Sequence, residues 1–124
     1  MSFCTSIHCM DGRIQKPLQE YMQKNYQVKY VDSITEAGPC RILANRDNQA
    51  LLQAIIDRIN ISIDNHGSQL IAVSGHFDCA GNPVSEAIQK EQVVAAINYL
   101  TKKYTKTEII GLWVDSNWKV NKIY

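Results

Sequence analysis

Apolar residues along this chain are arranged in two alternating patterns. Phe3–Cys9 is a short, largely apolar run that suits a buried strand, Leu70–Val73 is a continuous one, as expected of a strand covered on both faces, and Ile109–Val114 is a further apolar strand. Val28–Ile34 is more mixed but also reads as a strand. Between these runs apolar residues recur at helical spacing. Leu18, Tyr21 and Met22 form a stripe just after Pro17, which a first helical turn tolerates. Leu51, Leu52, Ile55, Ile56, Ile59 and Ile63 define the clearest helix. Asp47 or Asn48 can cap its start, and His66-Gly67 closes it, Gly67 being suited to a left-handed terminus. Ala87, Ile88, Val94, Ala95, Ile97 and Leu100 line a further helix, with Asn82-Pro83 read as its cap and first-turn proline. Ala37-Gly38-Pro39 and Asp115-Ser116-Asn117 read as turns, and Trp118–Tyr124 as a short strand returning in a hairpin.

Alternating strands and helices predict an α/β fold: a mainly parallel β-sheet flanked by helices, with a C-terminal hairpin strand. No repeat, low-complexity tract or linker interrupts the pattern, so residues 1–124 read as one domain. Open sheets of this kind bind ligands at the carboxyl ends of their strands. Cys9 and Gly75-His76 fall at two such ends.

Composition narrows the function by exclusion. With 13 basic and 12 acidic side chains the net charge is +1, which gives no electrostatic reason to expect nucleic acid or an anionic membrane as partner. No apolar run is long enough to span a bilayer, and Met1–Thr5 lacks the basic start of a signal peptide. A cytoplasmic protein with reduced thiols is therefore expected, and Cys4, Cys9, Cys40 and Cys79 read as ligands, nucleophiles or core residues rather than disulfides. Cys4, inside the first strand, and Cys40, without a motif partner, are assigned to packing.

Cys9, His76 and Cys79 form a coherent set of zinc ligands, two thiolates and an imidazole, leaving a fourth position for water. His76-x-x-Cys79 lets one loop supply two donors, whereas Cys9 lies 67 residues before His76 and must be delivered by the fold. Asp11 and Arg13 follow Cys9 at alternate positions and project to its side. Asp11 either fills the fourth position or pairs with Arg13. In the second case water binds the ion, its pKa falls toward neutrality, and a hydroxide nucleophile becomes available. Competing readings are a core cysteine, a histidine satisfied by backbone, and an ordinary loop ion pair. A zinc-stabilised module closed by Asp11 is a further alternative. His8-Cys9-x-x-Gly12 also opens like the phosphate loop of cysteine phosphatases. That loop needs arginine six residues after the cysteine; Gln15 stands there, and the reading fails.

Cys9-x-Asp11-x-Arg13 together with Gly75-His76-x-x-Cys79 resembles the signature of the β-class carbonic anhydrases. The similarity extends over nearly the whole chain. Ile34-Thr35-Glu36-Ala37-Gly38 stands where that family has a strand ending in an Ala-Gly turn, and Gly111–Asp115 with the final strand resembles its closing hairpin. The resemblance implies a zinc enzyme hydrating carbon dioxide to bicarbonate, with Cys9, His76 and Cys79 as metal ligands and Asp11 and Arg13 as the catalytic gate. It also implies a homodimer or higher homo-oligomer, for which Trp113, Trp118, Val120, Ile123 and Tyr124 are candidate surface. Hydrolysis of a carbon dioxide analogue (carbonyl sulfide or carbon disulfide) and a non-catalytic zinc protein are the alternatives. Two departures from the family pattern stand out: Thr35-Glu36 replaces its Arg-Asn, and the glycine after the last ligand is displaced, giving Cys79-Ala80-Gly81.

Overall fold

A computed structural model of the chain describes residues 2–124. Five strands form one sheet: β1 (Phe3–Cys9), β2 (Tyr30–Glu36), β3 (Leu70–His76), β4 (Glu108–Val114) and β5 (Val120–Lys122). Their spatial order is β2-β1-β3-β4-β5. All neighbours run parallel except β4 and β5, which pair antiparallel as the predicted hairpin. β3 is buried along its whole length, as its continuous apolar run requires, and β2 is the partly exposed edge.

Helix α1 (Gln15–Tyr26) covers one face of the sheet through Leu18 and Met22, which pack with Cys4, Leu70, Ala72 and Leu112. Helices α2 (Pro39–Asn45), α3 (Gln49–Asp64) and α4 (Glu86–Lys103) build the core on the other face, where Ile55, Ile59, Val93, Ile97 and Leu100 meet Ile7, Ile71 and Val73. Among the described residues no helix is long and apolar enough to cross a membrane.

Several expectations need correction. Ala37-Gly38-Pro39 does not merely turn: Gly38, at φ 66°, opens α2, which buries Cys40, Ile42 and Leu43. Asn82 does not cap α4; it is buried and donates to Gln92 Oε1 at 2.6 Å, while Ser85 Oγ receives the Ile88 amide as the cap. The buried stripe of α4 is Gln89, Val93, Ala96, Ile97 and Leu100, and Ala87, Ile88 and Ala95 face outward. Apolar residues flank this stripe on both sides, so sequence spacing alone allows the helix to be rotated by one position. The final strand is shorter than expected because Trp118 belongs to the turn. Trp113 is 3% exposed, covered within its own chain and not free for a partner.

Candidate metal centre

In this strand order β1 leads outward to β2 on one side, and β3 returns to pair with β1 on the other. The crevice at the carboxyl ends of β1 and β3 is thus a topological switch point, where open sheets bind ligands. β1 delivers Cys9 there and β3 delivers His76, with Cys79 on the loop that follows. One ligand atom from each of the three residues lies within 4.8 Å of the others, and all three residues are buried.

The chemistry of the donors fits a metal ion. The Cys9 and Cys79 sulfurs are 3.8 Å apart. Two thiolates held ~2.3 Å from one ion at a tetrahedral angle would stand ~3.8 Å apart. His76 Nδ1 lies 2.7 Å from the Phe77 carbonyl, which can only accept, so Nδ1 carries the proton. Nε2 therefore presents its lone pair, and it is buried without a hydrogen-bond partner. Burial first, and the adjacent Cys9 second, push the Cys79 thiol up to about 11. A cation held between the sulfurs would remove that penalty, because a coordinating thiol is deprotonated.

The surrounding residues fix these donors. Gln89 of α4 spans the His76 backbone with both ends of its amide: Nε2 donates to the His76 carbonyl at 2.8 Å and Oε1 accepts the His76 amide at 3.2 Å. Gln15, which stands where a phosphatase would carry arginine, donates from Nε2 to the carbonyls of Cys9 (2.9 Å) and Asp11 (2.7 Å). Its Oε1 then accepts from His8 Nε2 at 2.8 Å, leaving His8 Nδ1 to receive the Ser6 hydroxyl. Burial lowers the His8 pKa, keeping this bracket neutral. Outer partners of this kind orient ligands and tune metal affinity.

Asp11 and Arg13 meet as expected from their spacing. Arg13 Nη2 is 2.6 Å from Asp11 Oδ2, and Arg13 Nε is 3.0 Å from Oδ1, which also accepts the Arg13 amide at 2.9 Å. The guanidinium holds the Asp11 carboxyl down at about 2, so it is ionised throughout the neutral range. The Asp11 carboxylate does not join the metal-ligating cluster.

Sequence reasoning missed Gln15 and Gln89, and also Asp78 and Trp118, which both contact the Arg13 guanidinium. Asp78 was within view, lying between two predicted ligands. The other three have no sequence signal pointing to the site, being brought there by α1, α4 and the β4–β5 turn. The two departures find their uses here. Glu36 pairs with Arg58 of α3 at 2.7 Å. The displaced Gly81 packs directly on Ala37, where a Cβ would come within 2.7 Å of the Ala37 Cβ.

A sheet of this order with the ligand cluster at its switch point defines a chain of the β-carbonic anhydrase fold. The family model described as "Putative carbonic anhydrase" matches residues 1–124, and the chain belongs to that family. Solved structures agree on the fold. A chain from the crystal structures of two tetrameric β-carbonic anhydrases of the filamentous ascomycete Sordaria macrospora matches with a TM-score of 0.69 at 12% identity, over 97% of this chain and 79% of that one. The wild-type β-carbonic anhydrase CafD of Aspergillus fumigatus gives 0.67 at 11% identity, over 100% and 90% of the respective chains. CafA of the same fungus gives 0.58 at 11%, over 97% and 74%. No curated protein matches the sequence.

Proposed function

We propose that this protein is a zinc-dependent carbonic anhydrase that reversibly hydrates carbon dioxide to bicarbonate, with Cys9, His76 and Cys79 as the metal ligands. The observation that carries this reading is the convergence of two thiols 3.8 Å apart and one unpartnered imidazole nitrogen at the β1–β3 switch point. Zinc bound there supplies Lewis acidity that makes water a nucleophile near neutral pH.

The chain's own residues do the rest. Arg13 keeps Asp11 ionised and engaged, which leaves a fourth position for solvent rather than carboxylate. From that place Asp11 can accept a hydrogen bond from the entering water and orient its lone pair toward carbon dioxide. The Phe77 carbonyl fixes the His76 tautomer, and Gln15 fixes the Cys9–Asp11 turn. We further infer that residues 1–124 act as one domain and that the protein forms a homodimer or higher homo-oligomer. Exposed Met10 and Phe77 on the two ligand-bearing loops support this, as does the tetrameric assembly of the Sordaria enzymes. Stopped-flow hydration of carbon dioxide by zinc-loaded protein, with metal analysis alongside, tests the assignment. Zinc near one per chain with hydration that chelation abolishes is expected; carefully prepared protein that binds no zinc overturns it.

A further inference from the structure

Among the described residues four non-glycine positions have left-handed backbone: Gln27, Arg46, Asp78 and Trp118, with φ between 54° and 59°. Gln27 and Arg46 end α1 and α2, where such a residue is an ordinary terminus. Asp78 and Trp118 end no helix, and both touch the guanidinium of Arg13.

Trp118 closes a three-residue hairpin loop in which its amide donates to the Asp115 carbonyl at 2.9 Å. Glycine commonly takes this place, since left-handed backbone crowds a side chain. A bulky residue here is an outlier of the kind that collects at functional sites. Asp115 holds the turn, its Oδ1 accepting the amides of Asn117 (2.9 Å) and Lys119 (3.0 Å) and its Oδ2 accepting from Asn121 at 3.1 Å. This turn sets the indole face 4.5 Å from the guanidinium carbon of Arg13, with the Phe77 ring edge-on to the indole. Asp78 holds the same group through its N–H donors: its carbonyl accepts from Nη2 at 3.0 Å and its carboxylate from Nη1 at 3.2 Å.

An exposed ion pair holds a long side chain weakly, because rotamer freedom opposes it. The Asp11 carboxylate grips only the Nε–Nη2 edge of the 44%-exposed Arg13 side chain, leaving Nη1 and both guanidinium faces to other contacts. With Asp11 and Asp78 both bonded to it and one face covered by Trp118, the guanidinium is left a single orientation. We propose that Asp78 and Trp118 are positioning residues that clamp Arg13 and, through it, hold the Asp11 carboxylate away from the metal. The proposal rests on the reading of Asp11 and Arg13 as the gate of a zinc site.

The test uses the full chain, zinc-loaded and nitrogen-15-labelled, with the Arg13 guanidinium resonances assigned by Arg13→Lys. They are compared in wild type, Trp118→Ala, Trp118→Phe and Asp78→Asn, beside zinc content and hydration rate. Separate, slowly exchanging Nη signals are expected in wild type. They should merge in Trp118→Ala and broaden in Asp78→Asn, which loses the charge but keeps the residue 78 carbonyl as acceptor, with zinc content unchanged and hydration lowered roughly two- to five-fold, as loss of one exposed cation–π contact or ion pair allows. Trp118→Phe keeps a ring face and should recover most of the wild-type behaviour. Asp78 is surface-exposed, so its variant folds even if the tryptophan variants do not. Separate, unbroadened Nη signals persisting in both Trp118→Ala and Asp78→Asn overturn the clamp. Merging or broadening of those signals in a protein that hydrates no carbon dioxide supports the clamp and overturns the hydration reading alone.

Discussion

Gly81→Ala should be among the most damaging single-methyl additions near the site. A Cβ at residue 81 would lie 2.7 Å from the Ala37 Cβ, 2.8 Å from its carbonyl carbon and 3.0 Å from its Cα. Ordinary contact begins at 3.4 Å. None of these atoms can rotate away, so the turn carrying Gly81 must lift from the end of β2 by roughly half an ångström or more. Gly81 is not among the left-handed positions, so backbone conformation adds nothing and the penalty is steric. Overpacking of this kind costs about 1–3 kcal/mol, and contact with backbone places it near ~2 kcal/mol. Gly12→Ala is the matched control: nothing lies within 4 Å of its Cβ, and restricting the unfolded chain should stabilise by about 0.4–1 kcal/mol. That unfolded-chain gain is common to both substitutions, so urea unfolding of reduced, chelator-treated protein should separate the two variants by the steric cost, ~2 kcal/mol, at a common m-value. Zinc should widen the gap. The Cys79 carbonyl accepts the Asn82 amide, so lifting the turn displaces a ligand and lowers the stabilisation that bound metal contributes. A Gly81→Ala variant within about 0.5 kcal/mol of wild type, the scatter of ordinary surface changes, would refute the reasoning.

Three further outcomes follow from other parts of the molecule. Cys79→Ser should strip the metal, with a fall in affinity beyond the roughly 10–100-fold typical of outer-partner changes; retention of full zinc on dialysis would show that Cys79 is not a ligand. Ser85→Ala removes the acceptor of the Ile88 amide and should lower unfolding stability by about 1 kcal/mol, read from the urea midpoint; no change would return the cap of α4 to another residue. The Asp115 carboxyl is held below the usual carboxylate range, first by the Lys119 amide and then by the Asn121 side chain. Because its folded pKa is the lower one, its stabilisation is present above the ordinary value near ~4 and is lost as pH falls through the depressed one. Asp115→Asn keeps an acceptor but not the charge, so its melting temperature should decline less steeply below pH ~4 than that of wild type; parallel acid limbs would disprove the linkage.

What could be read from the chain alone was whatever local pattern encodes. β3, β4 and α3 follow from apolar runs and a clean helical stripe, and β1 from a largely apolar one broken by Thr5, Ser6 and His8, because burial on two faces or on one leaves a periodic trace. Cys9, Asp11, Arg13, His76 and Cys79 were legible for another reason: thiolate, imidazole and paired charges at short spacings are a chemical signature wherever the fold puts them. Pro39–Asn45 left no such trace, since seven residues hold barely two turns. Asn82 and Ser85 are equally good caps locally; only the demand of buried Asn82 for Gln92 decided between them. That β1 and β3 are neighbours, that Gln89 of α4 grips His76, and that Trp118 lies against Arg13 are decisions of the tertiary structure. They join segments far apart in the chain, and such contacts form only when the whole core closes, so no window of sequence contains them.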